Sequence, residues 1–214
     1  MISIGLDPKI TLEPISGTGA WYQATDYVHG DLYEAEELYQ DGHSIDCNSL
    51  YFIHFPDGTI YEPAPKKKGR YFGNTAYVDG NLAFLMVDFP DDRISVMEFD
   101  TVSGETQVLA ELSRKDVKDC YNLMVHGSPL FLTRQANDGK FQIIWPWKAE
   151  FPIERTETFD FRDGDKLYFA AWYEDPDYRE DVIVRSLDGE LMDRYPGTIY
   201  TMPNGERWKI GYTD

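Results

Sequence analysis

Among the dipeptides in this 214-residue chain that join Asp, Asn or His directly to Gly, five mark a long-period echo: His29-Gly30, Asp79-Gly80, His126-Gly127, Asp163-Gly164 and Asn204-Gly205. Each dipeptide joins a residue type that tolerates positive φ to one without a Cβ, which is what a tight hairpin demands. A second turn cluster follows four of these glycines at similar spacing: Asp41-Gly42, Pro90-Asp91-Asp92, Asn137-Asp138-Gly139 and Asp175-Pro176-Asp177. A third set comes next, at Phe55-Pro56-Asp57-Gly58, Ser103-Gly104, Pro146-Trp147-Lys148 and Leu187-Asp188-Gly189, with Leu6-Asp7-Pro8 as its fifth member. A register that repeats in this way describes one closed ring of five similar β units.

Between the turns lie short runs rich in aromatic and β-branched residues, such as 82–88, 93–99 and 182–186, which read as strands. Four strands per unit and about 43 residues per unit match the blades of a β-propeller. The spacing predicts an all-β, five-bladed propeller over residues 1–214 as a single domain. Its last blade is shared: residues 198–202 and 206–213 supply the inner strands, and residues 2–6 and 9–15 the outer ones. One misread set of turns would leave four or six blades, and a β-sandwich or meandering barrel also carries many short strands. The turn register inside each unit favours the propeller. No long stretch has apolar residues at helical spacing, and the Glu-rich run 32–39 reads as a strand.

No apolar run approaches the roughly 18 residues that cross a bilayer, so no membrane partner is expected. The opening residues lack the basic start and apolar segment of a secretory signal, so a cytoplasmic location is expected. Cys47 and Cys120 are the only cysteines and show no Cys-x-x-Cys spacing, which points to neither a disulfide framework nor a zinc site. Cys120 reads as a small buried thiol, and the His43 and His54 near Cys47 do not suggest a shared metal site. No cofactor-binding or metal-binding motif appears. Acidic residues number 38 against 20 basic, a formal charge of −18. That balance excludes nucleic acid, because phosphate binding needs clustered Lys and Arg. The one basic cluster, Lys66-Lys67-Lys68 with Arg70, reads as a solvated loop. The surplus of acid steers basic partners and cations toward the surface.

Aligning the innermost strands on their hairpin glycines puts Asp26, Ala76, Leu123, Asp160 and Thr201 at one level, so that two carboxylates face the central channel. Glu157, near the mouth of the Asp160 strand, could serve as a third. Paired carboxylates are what glycoside hydrolysis uses. The plan resembles that of five-bladed glycosidases, which carry acidic residues on inner strands beneath a sugar cleft. The resemblance is architectural, and no family motif in the chain accompanies it. No nucleophile elbow and no phosphate-cradling Gly-rich loop are present.

Aromatic residues make up 15% of the chain, including 15 Tyr and 5 Trp. Most must pack between blades. Trp145 and Trp147 flank a proline and point to the same face if the segment is a strand. Trp21-Tyr22, Tyr71-Phe72 and Tyr195 all fall just before innermost strands, on what would be one rim, and Tyr and Trp dominate binding hot spots. The composition therefore points to a non-catalytic binding or scaffold module that meets a protein partner through an acidic face dotted with Trp21, Tyr22, Tyr71, Phe72, Trp145, Trp147 and Tyr195. The alternative is a carbohydrate-active propeller, binding or cleaving a glycan with Asp26, Asp160 and Glu157.

Overall fold

The computed structural model describes residues 3–7 and 9–211. Strands β1 (Thr11–Pro14), β2 (Trp21–Thr25), β3 (Leu50–His54) and β4 (Ile60–Tyr61) form the first antiparallel sheet, in that order. Strands β5 (Arg70–Val78), β6 (Asn81–Asp88), β7 (Arg93–Phe99) and β8 (Thr106–Ser113) form the second. The third contains β9 (Leu123–His126), β10 (Phe131–Ala136), β11 (Lys140–Trp145) and β12 (Ala149–Pro152). The fourth contains β13 (Glu157–Asp163), β14 (Lys166–Tyr173), β15 (Arg179–Ser186) and β16 (Leu191–Pro196). A hairpin of β17 (Thr198–Thr201) and β18 (Arg207–Ile210) follows. These are propeller blades: four of four strands each, then a two-stranded remainder.

The second blade shows why the sequence takes this form. Asp79 and Gly80, at φ 49° and 96°, make the two-residue turn that pairs Val78 with Asn81. Residues Leu82–Val87 are then buried on both faces, because the blade has a neighbour on each side. The core accordingly lies between blades. Trp21, Phe52, Phe84 and Phe99 fill the first gap, Leu85, Val87, Val125 and Leu132 the second, and Phe131, Phe141, Phe151 and Phe169 the third. Each such side chain contributes about 1.5–3 kcal/mol by leaving water. Among the described residues no helix is long and apolar enough to cross a membrane.

In the second, third and fourth blades, each turn predicted from sequence sits at a strand junction. The first blade is different, and the difference corrects the blade count from five to four. Residues Thr11–Pro14 pair with β2 as the inner strand of the first blade, so they are not available to complete a fifth. The turn that makes this possible, Ser16-Gly17-Thr18-Gly19, lies outside the five-fold dipeptide pattern. Residues 3–6 of the predicted 2–6 strand form no strand, while Ile2, Pro8 and positions 212 and 213 of the other predicted elements lie outside the described residues.

The predicted strand at 32–39 is instead α1 (Leu32–Gln40), inserted between β2 and β3. Asp31 accepts from the Glu34 N–H at 2.8 Å, and Glu34 accepts from the Asp31 N–H at 2.9 Å, a reciprocal cap that satisfies two otherwise unpaired helix donors. Gly42 at φ 85° ends the helix. Leu32 and Ala35 are buried against the second blade, and Glu36, also buried, pairs with Arg114 at 2.7 Å and accepts from the Cys120 N–H at 2.6 Å.

Candidate channel-mouth site

Successive strands of a blade run antiparallel, so the first and third turns of every blade emerge at the same end. At that end the inner turns enclose a cavity of about 640 Å³, lined by Gly17, Thr75, His126, Asp160, Thr201 and Arg207 among others. Residues from all four blades and the hairpin therefore converge there. The turns meet tightly. A Cβ on Gly127 would lie 2.3 Å from the Tyr77 carbonyl oxygen, and one on Gly205 would lie 3.5 Å from the Gly17 Cα. This second contact closes the ring through two turns rather than through a shared blade.

Asp160 and Asp79 are the carboxylates of this cavity, and Asp160 is open to solvent at its mouth. Among the described residues Asp160 has no hydrogen-bond or ion-pair partner. Desolvation by the channel wall raises the Asp160 carboxyl pKa above its ordinary value, and Arg207 works in the opposite direction without cancelling the effect. The Arg207 guanidinium itself lies over the Phe161 ring, 3.9 Å from its centroid. The Thr75 hydroxyl is buried in the same wall and has no hydrogen-bond partner among the described residues. His126 lies between Phe131 and Phe159, with its Nε2 2.8 Å from the Thr133 hydroxyl. Burial pushes its pKa down to about 4, so the ring is neutral. Around the mouth the same end carries Asp79, Asp163 and Asp165 on inner turns and Asp57, Asp100 and Asp188 on outer ones.

The sequence-derived candidates do not converge. Asp26 accepts from the Ser49 N–H at 3.2 Å and the Ser49 hydroxyl at 2.6 Å. It lines a separate cavity of about 760 Å³ with Tyr27, Tyr51 and Lys66, and Lys66 donates to the same hydroxyl at 2.5 Å. Glu157 is buried and held by Arg185. Only Asp160 faces the channel.

The aromatic candidates are mostly core. Trp21 packs on His54, Tyr61 and Phe99. Phe72 is buried, and Tyr71 is 1% exposed, its hydroxyl donating to the Gly30 carbonyl at 2.6 Å and pushed up to about 12 by burial. Tyr22 is half-buried. Trp145 packs on the cluster between the second and third blades, whereas Trp147 stacks on Phe131 between the third and fourth, so the two indoles share no face. Tyr195 lies under the Lys209 ammonium, 3.5 Å from its ring centroid. Cys120 is a buried thiol raised by that burial. In the basic cluster Lys67 bridges Asp88 and Asp91. Among the described residues no group of three or more His, Cys, Asp or Glu is placed to hold a metal.

No protein-family model matches the chain, and no curated protein does. Solved structures resemble it in shape. TolB from Acinetobacter baumannii is 14% identical with a TM-score of 0.46, the match covering 93% of this chain and 45% of that one. The β-propeller domain of the Trilobed protease from Pyrococcus furiosus is 10% identical with a TM-score of 0.46, covering 92% and 61%. Pyrococcus horikoshii acylaminoacyl peptidase is 12% identical with a TM-score of 0.46, covering 93% and 35%. The chain thus spans less than two thirds of each of these proteins. The propeller architecture rests on the sheet order itself.

Proposed function

We propose that the chain is a non-catalytic binding module whose channel mouth receives a cationic side chain from a protein partner. The observation that carries this reading is Asp160: a solvent-open carboxylate at the channel mouth, without a hydrogen-bond or ion-pair partner among the described residues, beside a wall that also holds the unsatisfied Thr75 hydroxyl. The channel wall desolvates that carboxylate in part and raises its pKa, so a pairing cation offsets the desolvation. A Lys or Arg inserted from above pairs with Asp160, with the surrounding turn aspartates guiding its approach. The charge of −18 speeds that encounter.

The test is fluorescence anisotropy with a labelled oligo-arginine peptide. Asp160→Asn should weaken binding by about tenfold, the size of one charge-assisted hydrogen bond, while Asp188→Asn on an outer turn changes little. Equal binding by wild type and Asp160→Asn overturns the reading.

A glycan-binding reading draws on the other cavity, where Tyr27, 54% exposed, and Tyr51 flank Asp26. Retention on a glycan array that is lost in Tyr27→Ala would move the function there.

A further inference from the structure

We propose that the outer edge of β18 is a docking site for an extended acidic peptide segment, which adds as the third strand of the C-terminal hairpin. The surface adjoins the channel mouth, whose cavity Arg207 also lines, but it uses the outward backbone of β18 rather than the cavity. Every other sheet has four strands, whereas β18 pairs only with β17 among the described residues, and all four of its residues are exposed.

The backbone phase of this edge is fixed. Met202 N–H donates to the Glu206 carbonyl at 2.7 Å. Pairing alternates from there, so Tyr200↔Trp208 and Thr198↔Ile210 are the hydrogen-bonded pairs of the ladder. Arg207 and Lys209 therefore turn their N–H and C=O groups outward, as a free template for strand addition.

The side chains decide what can use that template. Arg207 and Lys209 share the face toward the fourth blade, over Phe161 and Tyr195. On the opposite face Tyr200 and Trp208 stand paired and 62% and 53% exposed. A second copy laid antiparallel on this edge would set Arg207 and Lys209 against their own kind in every register that keeps the outward groups bonded, and like charges directly opposite are destabilising. An acidic strand reverses the sign. Residues 194–211 carry three basic groups, Arg194, Arg207 and Lys209, against one acidic, Glu206, in a chain of −18 overall. The segment that fits reads acid, aromatic or branched apolar, acid: carboxylates beside Arg207 and Lys209, and the central side chain beside Trp208.

The probe is a capped peptide alternating Glu with Val and Phe, compared with the same peptide carrying Lys for Glu. Measurements at physiological salt confine electrostatics to about 8 Å, so that local charge outweighs the net charge of the chain. The Glu peptide should bind at least about tenfold tighter and slow amide exchange at Arg207 and Lys209. Lys209→Pro removes one outward N–H without touching the β17 ladder and should abolish binding. Arg207→Glu with Lys209→Glu should invert the preference toward the Lys peptide, which keeps the test decisive if the proline variant folds poorly. Equal affinity for the two peptides overturns the proposal. So does protection of these amides without peptide: if it rises with protein concentration the edge belongs to a second copy, and if it does not the chain covers its own edge.

Discussion

Arg185 reaches from β15 back to β13 and grips both carboxylate oxygens of Glu157, at 2.6 and 2.9 Å, while a third nitrogen donates to the Gly189 carbonyl at 2.9 Å. One cation thus ties together two strands and the outer turn of the fourth blade. Glu157 is 2% exposed, so removing it leaves a guanidinium with little access to water. Breaking a buried pair from one side costs about 3–5 kcal/mol. Glu157→Ala should lose that much in urea unfolding, with an unchanged denaturant slope, and should leave oligo-arginine binding by the folded protein intact.

His126 makes stability depend on pH in a defined window. Its folded pKa of about 4 lies below the ordinary value of 6.5 because burial disfavours the imidazolium. Below pH 6.5 the unfolded chain takes up a proton that the folded chain refuses, so stability falls as pH drops and levels off near pH 4. The full span is worth about 3 kcal/mol at about 1.4 kcal/mol per pKa unit. His126→Gln should flatten the pH 6.5 to 4 segment of a stability profile and leave the carboxylate-driven loss at lower pH.

The cap of α1 is a small local contribution with a clean readout. Asp31→Ala removes the acceptor for the Glu34 N–H and should cost about 1 kcal/mol. Because the helix packs on the second blade, the loss appears in global unfolding as well as in the far-ultraviolet helical signal.

That helix marks where sequence reading reached its limit. Asp31-x-x-Glu34 ahead of Leu32, Ala35 and Leu38 is a legible helix start, but three glutamates and the turn at Asp41-Gly42 also fitted the strand register of the later blades. In blades two to four, hairpin chemistry and burial act together, so Asp79-Gly80 and its counterparts mark real junctions. In the first blade the inner turn is built on Gly17, without an Asp, Asn or His beside it, and the register slipped by one strand. The same slip placed Asp26 in the channel, whereas β2 is a second strand, and Asp26, just past its end, lines another cavity. Asp160 was legible because its blade was. Arg207 was not, because what singles it out is a contact between the C-terminal hairpin and Phe161 of the fourth blade. The aromatic rim divides for a general reason: Trp21, Tyr71 and Phe72 at strand starts pack between blades, while Tyr22, Trp145, Trp147 and Tyr195 stay half-buried.

Two N-terminal truncations separate a first blade that owns β1 from a last blade that borrows it. Removing residues 1–10 strips the segment that lines the cavity beside Tyr51 and Ile60 but leaves β1 paired to β2. Removing residues 1–15 takes β1 itself together with Ile15, which is 4% exposed in the cluster of Trp21, Phe52 and Phe84. The ladder bonds and one buried aliphatic side chain together are worth several kcal/mol. The shorter truncation should therefore shift the melting temperature little, and the longer should lower it by about ten degrees or more. Equal, large losses in both would mean that residues 1–10, and not β1, carry the stability of the first blade.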